Sequence, residues 1–429
     1  MRGRIALIAC TLLYLAIIAR PQQQSFVPSG VDDLVRAGLS NNKELAAARQ
    51  HIAEAAGLAR QARVLTAPVL DLNGATGDPL GTVGENQYGA GLSQIIEIFG
   101  KRGKRGHVAD LAVEVAKADT EQRAAQLAFE IRTAYAEVLA ERRKLKLLGD
   151  LVGLNQETLR LTEARVSEGD VAPLEAKLLK VEISRTEVAR LSAQGRLGSA
   201  ENELRRLAGL DPESRIPESD FTFPPAQSLD ELKQQALKNR GDLTTARMEE
   251  EQQAAGVALA KAESKPDVTV SAAYSRQSSE FEGLSAVNRA GSLAPIRDQV
   301  NVLNFGLSIP LRTPRSAAGK IQAAGARAAG ARLLRENLER TVPLEVEAAY
   351  QRRRSAIDSL QLLQAGVVDP SSANLAVIRE AYTLGQLRLL DVINEQRRLV
   401  DTQMQFIDAQ TDAARTWADL ERASGGRLP

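Results

Sequence analysis

A long segment without proline, from Lys101 to Glu168, has the pattern of hydrophobic and polar residues that is typical of one α-helix. At about 1.5 Å per residue this helix would be on the order of 100 Å long, more than a compact domain needs. The pattern then predicts a tight turn at Gly169 and a shorter helix that returns to Gly209. Apolar and small residues recur at steps of three and four, including Leu111, Val115, Ala118, Leu127, Ile131, Ala134, Val138, Leu145 and Leu148.

The same order of segments occurs twice in the chain. An alignment without gaps pairs the first helical segment, and the proline after it, with a later copy, which indicates an internal duplication. The pairs include Asp32 and Asp230, Leu34 and Leu232, Asn41 and Asn239, and Pro68 and Pro266. With small shifts of register, Tyr135, Gly169, Leu174 and Gly209 return as Tyr350, Gly385, Leu390 and Gly425.

The duplication predicts the domain organisation. Residues 1–21 form a signal peptide, 22–209 the first repeat, 210–228 a proline-containing connector and 229–429 the second repeat. The first repeat is predicted to hold a helix, strands at about 68–98 and a helical hairpin at 101–209. The second is predicted to hold a helix, strands at about 266–310 and a helical hairpin at 315–423.

Two features of the second repeat are expected to differ from the first. Pro343 and Pro370 each remove a backbone donor, so they should kink or interrupt the second long helical arm. The stretch 280–299 is polar, and it is predicted to be a long loop between the third and fourth strands.

The strand segments alternate between apolar and small polar residues, most clearly at 268–275 and 303–309. In a soluble sheet this pattern places one face on a core and the other in water. In an outer membrane it places one face on lipid and the other on a polar lumen. Four strands cannot close a barrel, and open edges are not tolerated in lipid. If these strands span a membrane, several chains must therefore share one barrel.

The N-terminus carries Arg2 and Arg4 before an apolar run to Ala19. The run is shorter than the roughly 20 residues of a spanning helix, so a cleaved secretory signal peptide is predicted, with an uncleaved anchor as the alternative. The single cysteine, Cys10, lies within this run, where a lipoprotein acylation box would not be expected. If the signal peptide is removed, the mature chain contains no cysteine and could form no disulfide.

Composition and motifs exclude several classes of function. Aromatic residues make up 3% of the chain and the net charge is +1, which favours long packed helices and gives no basic face for nucleic acid. His51 and His107 have no neighbours at metal-ligand spacing, and neither a phosphate-binding loop nor a nucleophile elbow is present. We therefore expect no enzymatic activity, no metal site and no cofactor.

The order of elements, given twice after a signal peptide, resembles the TolC family of outer-membrane efflux proteins, also called outer membrane factors. The resemblance covers nearly all of the chain after Val31. The Gly-Lys-Arg at 100–102 and the segment 368–370 are most similar to the heavy-metal, CzcC-like branch. Its most specific segments are 92–94, 307–311, 381–385 and 390–393.

The resemblance implies a mainly helical fold with a membrane β-barrel portion. Three chains would form a homotrimer with a twelve-stranded barrel in outer-membrane lipid and a twelve-helix α-barrel tunnel across the periplasm. The channel would be passive. It would export small molecules or metal cations delivered by an inner-membrane pump of the RND type through a periplasmic adaptor protein.

The resemblance also implies roles for single residues. The adaptor would contact the tips of the helical hairpins at Gly169, Val171, Gly385 and Leu387. Asp391 and Asn394 take the two positions at which the family carries gate aspartates, so the second acidic group is absent. Glu175 is the matching position of the first repeat, and Tyr382 matches a tyrosine that helps to hold the closed state.

Two other classes of protein remain as alternatives. A periplasmic adaptor also has a signal peptide and a long helical hairpin, although two hairpins and two strand pairs count against it. A soluble coiled-coil scaffold would leave the alternating strands unexplained. The sequence does not identify the exported substrate.

Overall fold

The computed structural model describes residues 29–80, 84–219, 227–311, 314–368, 377–378, 380–382, 384 and 386–426. The predicted signal peptide, Pro370 and Gly385 therefore lie outside the described residues.

The described part of the chain is mainly helical, as predicted, and its elements follow the same order twice. The first copy comprises α1 (Val31–Asn41), α2 (Lys43–Ala62), β1 (Val69–Thr76), β2 (Asn86–Ile96), α3 (Lys101–Glu168) and α4 (Pro173–Ala208). The second comprises α5 (Leu229–Asn239), α6 (Gly241–Glu263), β3 (Val268–Val287), β4 (Leu293–Ser308), α7 (Pro314–Leu363) and α8 (Leu389–Ala423).

The helix that opens each copy is broken into two, where the sequence predicts one. In the first copy the break is at Asn42, whose backbone is extended and whose side chain accepts a hydrogen bond from Leu45 N at 3.0 Å. Asn42 also donates to the carbonyl of Leu207 at 3.0 Å. A side chain that caps a new helix and binds a distant one ends α1 at this position, although the apolar pattern continues.

Helix α3 has the predicted bounds and contains 68 residues. It ends at Gly169, which has a positive φ of 82° and so adopts the left-handed conformation that glycine favours. The amide of Asp170 donates to the carbonyl of Arg165 at 2.9 Å, and that of Gly169 to Val166 at 3.1 Å. These bonds satisfy carbonyls that the helix end would otherwise leave open, and they turn the chain towards α4.

Of the predicted kink or interruption at Pro343, the interruption is wrong, because α7 runs through this residue without a break. Val342 and Val346, on either side of the proline, are fully buried in a core. Their packing outweighs the roughly 3 kcal/mol that proline costs inside a helix. Helix α7 ends instead in one π-helical turn at Gln364–Val368.

The π turn coincides with a difference in length between the two repeats. The segment from Tyr350 to Gly385 is one residue longer than the matching segment from Tyr135 to Gly169. A π turn accommodates one additional residue within a helix. The π turn is therefore one position within the described residues at which the extra residue can be accommodated.

Each copy has its own core at the base of its helical hairpin, and the two cores use matching residues. Leu34, Ile131 and Leu204 lie together in the first core, and the corresponding Leu232, Val346 and Leu420 lie together in the second. The short first helix of each copy thus packs across the two arms of its hairpin.

The two copies pack against each other through α3 and α8, so the four long helices lie in the order α4, α3, α8, α7. Lys144 on α3 pairs with Asp408 on α8 at 2.7 Å, and Arg132 pairs with Glu421 at 3.4 Å. Helices α4 and α7 are left at the two edges of this layer. None of the described helices combines the length and apolar character that a membrane-spanning helix requires.

The strands form one antiparallel sheet in the order β1, β2, β3, β4. The long loop predicted at 280–299 is wrong, because β3 continues to Val287 and β4 begins at Leu293. Pairing continues past a bulge between Phe281 and Ser285. Strand pairing uses backbone groups, so polar side chains do not prevent the hairpin from extending.

Candidate functional site

The two faces of the sheet differ in chemistry. One face, which we call the apolar face, carries Leu70, Leu72, Tyr88, Leu92, Val270, Tyr274, Leu303, Phe305 and Leu307. The opposite face, which we call the polar face, carries Asp71, Asn73, Gln87, Ser93, Ser271, Ser275 and Asn304, with glycine and alanine between them, and apolar residues towards its ends and on β4, namely Val69, Ile95, Phe281, Ile296, Val300 and Val302. Residues that pair across antiparallel strands point to the same side, so the register alone fixes these two sets.

The apolar face of the sheet is not covered by other parts of the described chain. Leu72 and Phe305 on the apolar face are 74% and 77% exposed. On β3 the small residues Ser271, Ala273 and Ser275 are half-buried, whereas the alternate positions are exposed. A soluble protein covers its apolar sheet face with a core. This sheet leaves that face open, as a surface that meets lipid requires.

The polar face is the concave one. A cleft of about 290 Å³ lies against it, and most of the lining residues belong to this face, including Asp71, Asn73, Ser271 and Ser275. The face is also crowded, because a Cβ added at Gly306 would lie 2.5 Å from the Ser271 hydroxyl. The sheet therefore curves around its polar side chains. Its outer strands, β1 and β4, each pair on one side only within the described chain.

The far end of the helices contains the predicted tip residues. Gly169 makes the turn between α3 and α4, and a Cβ added there would meet nothing within 4 Å. Val171 is half-buried beside it, and Leu387 before α8 is exposed. The matching glycine of the second tip, Gly385, lies outside the described residues.

Tyr382 is buried at this end, where it joins the two repeats. Its ring packs with Leu179 of α4 and Leu389 of α8. Its hydroxyl lies 2.9 Å from that of Thr162 on α3. The Thr162 hydroxyl donates its own proton to the Thr158 carbonyl at 2.8 Å, so Tyr382 is the donor of the bond between them. The Arg165 guanidinium lies 5.4 Å from the centre of the tyrosine ring.

Asp391 and Glu175 occupy the same position in their helices, the third residue of α8 and of α4. Asp391 is exposed and accepts a hydrogen bond from the Arg388 amide at 3.2 Å, which caps the helix. Asn394 is exposed on the same face of α8, one turn further on. Glu175 is half-buried. Both carboxylates lie at a helix N-terminus, where the helix dipole favours negative charge.

One ion pair near the tip could not be predicted from the sequence pattern. Glu182 on α4 is 8% exposed, and its carboxylate accepts hydrogen bonds from Arg397 on α8, one of them at 3.0 Å from Nε. The bond from Arg397 lowers the pKa of Glu182, against the effect of burial, which raises it. Because the two residues belong to different repeats, helical periodicity could not have paired them.

Comparisons with known proteins agree with this architecture. The chain is 23% identical over 329 residues to the cobalt-zinc-cadmium resistance protein CzcC of Cupriavidus metallidurans, which covers 76% of this chain and 74% of the relative. The crystal structure of CusC superposes with a TM-score of 0.74 at 19% identity, covering 92% of each chain. The outer membrane protein VceC of Vibrio cholerae gives a TM-score of 0.72 at 20% identity, covering 93% of this chain and 97% of that one.

A family model decides the assignment. The model of the outer membrane efflux protein family matches residues 34–210 and 232–426, which is most of the chain. The predicted resemblance, the mainly helical fold with one sheet and the predicted outer-membrane location are confirmed. The chain therefore belongs to the outer membrane efflux protein family.

Proposed function

We propose that three copies of the chain form one passive channel, the outer-membrane component of a tripartite efflux system. The twelve strands of the trimer would close a barrel in the lipid, and its twelve long helices would form a tunnel across the periplasm. The observation that carries this proposal is the sheet with an exposed apolar face and two unpaired edges.

The edges require partners if the sheet lies in lipid. Each backbone group left without a hydrogen bond in a bilayer core costs several kcal/mol, so an open four-stranded sheet would be strongly disfavoured there. Pairing β4 of one chain with β1 of the next removes both edges. A four-stranded sheet is too narrow to close on itself, and three such sheets give a barrel of ordinary size.

The helices offer a matching surface. Helix α4, at one edge of the helical layer, carries exposed apolar residues at steps of four, three and seven, namely Leu174, Leu178, Val181 and Val188. This spacing is that of a coiled-coil seam. The face lies away from α3, the neighbour within the chain. We infer that a long helix of a second copy covers it.

The ends of the tunnel would have separate roles. The tips at Gly169, Val171, Gly385 and Leu387 would dock a periplasmic adaptor that links the channel to an inner-membrane pump of the RND type. The pump would supply the energy, so the channel needs no cofactor. Asp391, Asn394, Glu175 and Tyr382 would line or hold a constriction at this end.

The proposed cargo is small molecules or metal cations. The name of the related CzcC protein refers to resistance to cobalt, zinc and cadmium, which favours metal cations. A channel need not recognise each substrate that passes, so the pump would set the selectivity.

The test is a charge placed on the α4 seam. Val188 is 65% exposed in the single chain, so Val188→Arg leaves the fold of each chain intact but should prevent a second chain from packing there. The control is Gln194→Arg, an exposed position about 120° around the same helix. Light scattering on detergent-purified protein should give a trimer for wild type and the control, and a monomer for Val188→Arg.

Membrane fractionation and conductance complete the test. The wild-type protein should be found in the outer membrane, and the purified trimer should conduct ions in a planar bilayer. Recovery of the mature chain in the soluble fraction without detergent, or a monomeric wild type, would refute the proposal.

A further inference from the structure

The charges of the sheet are divided unequally between its faces. Among the paired strand residues that the structure describes, the charged side chains of the polar face are Asp71 and Asp298, both acidic. The basic strand residues, Arg276 and Arg297, lie on the other face, together with Glu280.

The two acidic residues are not paired with a basic side chain among the described residues. The Asp71 carboxylate accepts one long hydrogen bond, 3.4 Å from the Ser93 hydroxyl, and neither it nor Asp298 forms an ion pair with the described part of the chain. On the opposite face Glu280 pairs with Arg297 at 3.1 Å. The concave face therefore carries two negative charges without a basic partner among the described residues, whereas the convex face carries two basic residues and one acidic residue.

The register places the two carboxylates at different depths. Asp71 lies in the row that reaches Ala273 on β3, near the helical end of the sheet. Asp298 pairs with Ser279, six residues further along the same strand. Six residues of strand span about 20 Å. The neighbouring side chains on this face are uncharged: Asp71 lies beside Val69 and Asn73, and Asp298 lies beside Ile296 and Val300. Both aspartates are exposed.

We propose that Asp71 and Asp298 make the barrel selective for cations. The inference rests on the proposed trimeric channel, in which the concave face lines the lumen. Three chains would place two rings of three carboxylates in the pore, about 20 Å apart along the strands. Rings of acidic side chains concentrate cations and exclude anions in the low-dielectric surroundings of a pore. Both the membrane portion and the periplasmic end would then contribute to the ion selectivity of the channel.

The experiment measures ion selectivity of the purified trimer in planar bilayers across a KCl gradient. The reversal potential gives the permeability ratio of K⁺ to Cl⁻. All proteins carry Asp391→Asn and Glu175→Gln, so that these acidic groups at the predicted periplasmic constriction do not contribute. The variants under test are Asp71→Asn, Asp298→Asn and their combination, each of which keeps the size of the side chain.

The control is Glu280→Gln. It removes the same charge from the row next to Asp298, but on the convex face. The double variant of Asp71 and Asp298 should lower the permeability ratio at least about twofold, and the control should leave it unchanged. An unchanged ratio in the double variant, or an equal fall in the control, would overturn the inference while leaving the channel function in place. If the wild-type trimer, without any substitution, conducts no ions, the proposed channel function is refuted, and the proposed cation selectivity is refuted with it.

Discussion

The glycine at the end of each return helix is the best position at which to test the packing of the repeats. Gly209 has a φ of 61°, and the direction in which a Cβ would point is blocked by the backbone of Asn41 at the end of α1. A Cβ added there would lie 2.9 Å from the Asn41 carbonyl carbon and 3.1 Å from its oxygen. Gly209→Ala therefore adds a side chain in an unfavourable backbone conformation and also forces two helices apart.

The magnitude can be separated into two parts. A non-glycine residue in the left-handed conformation costs about 1–2 kcal/mol. Overpacking against atoms that cannot move adds about 1–3 kcal/mol. Gly169→Ala provides the control, since Gly169 has a φ of 82° but open space around it. Gly209→Ala should thus destabilise the chain by about 1–3 kcal/mol more than Gly169→Ala does.

Thermal unfolding of the detergent-purified protein, followed by circular dichroism, measures the difference. The lower midpoint should belong to Gly209→Ala. Gly425→Ala should behave in the same way, because a Cβ there would lie 2.9 Å from the Arg240 nitrogen and 3.0 Å from the Asn239 carbonyl carbon. Equal midpoints for Gly169→Ala and Gly209→Ala would refute the packing argument.

Three further predictions concern the tip. Tyr382→Phe removes the bond to Thr162, and it should cost about 1 kcal/mol and raise the conductance of the closed channel; unchanged conductance would remove Tyr382 from the constriction. Because the bond from Arg397 lowers the pKa of Glu182, that pair stabilises the protein above the ordinary glutamate pKa and loses its effect as pH falls through the lowered value. Arg397→Met should therefore be less stable than wild type at neutral pH by about 1 kcal/mol, after allowance for the 46% exposure of the Arg397 side chain. Its acid unfolding should begin at higher pH, and an unshifted acid transition would contradict this. Asp391→Ala should raise the conductance of the closed channel. Asp391→Asn removes the charge but keeps an oxygen that can cap α8, so a comparison of the two variants separates the effect of the charge from the effect of the cap.

Much of the architecture follows from local signals in the sequence. The bounds of α3 are set by the absence of proline and by a glycine at the far end, and both are visible in the sequence. The alternating strands and the duplication are likewise local or repeated patterns. The break at Asn42 and the continuity through Pro343 were not predicted, because contacts with distant helices decide both.

The candidate site was predicted less completely. The positions of Tyr382 and Asp391 followed from a family resemblance, but the bond to Thr162 and the capping role of Asp391 required the structure. The pairing of Glu182 with Arg397 joins two repeats, and the unequal charge of the sheet faces depends on the register. Neither is a property of any single stretch of sequence.

The π turn makes the two arms of the molecule unequal in backbone hydrogen bonding. An additional residue in an uninterrupted α-helix would rotate every later side chain by about 100° around the axis. The described part of the second arm carries the wider π pattern over five residues, Gln364–Val368, whereas α3 is α-helical from Lys101 to Glu168. A duplication has thus produced one uninterrupted helix and one arm that departs from regular α-helical geometry ahead of its tip.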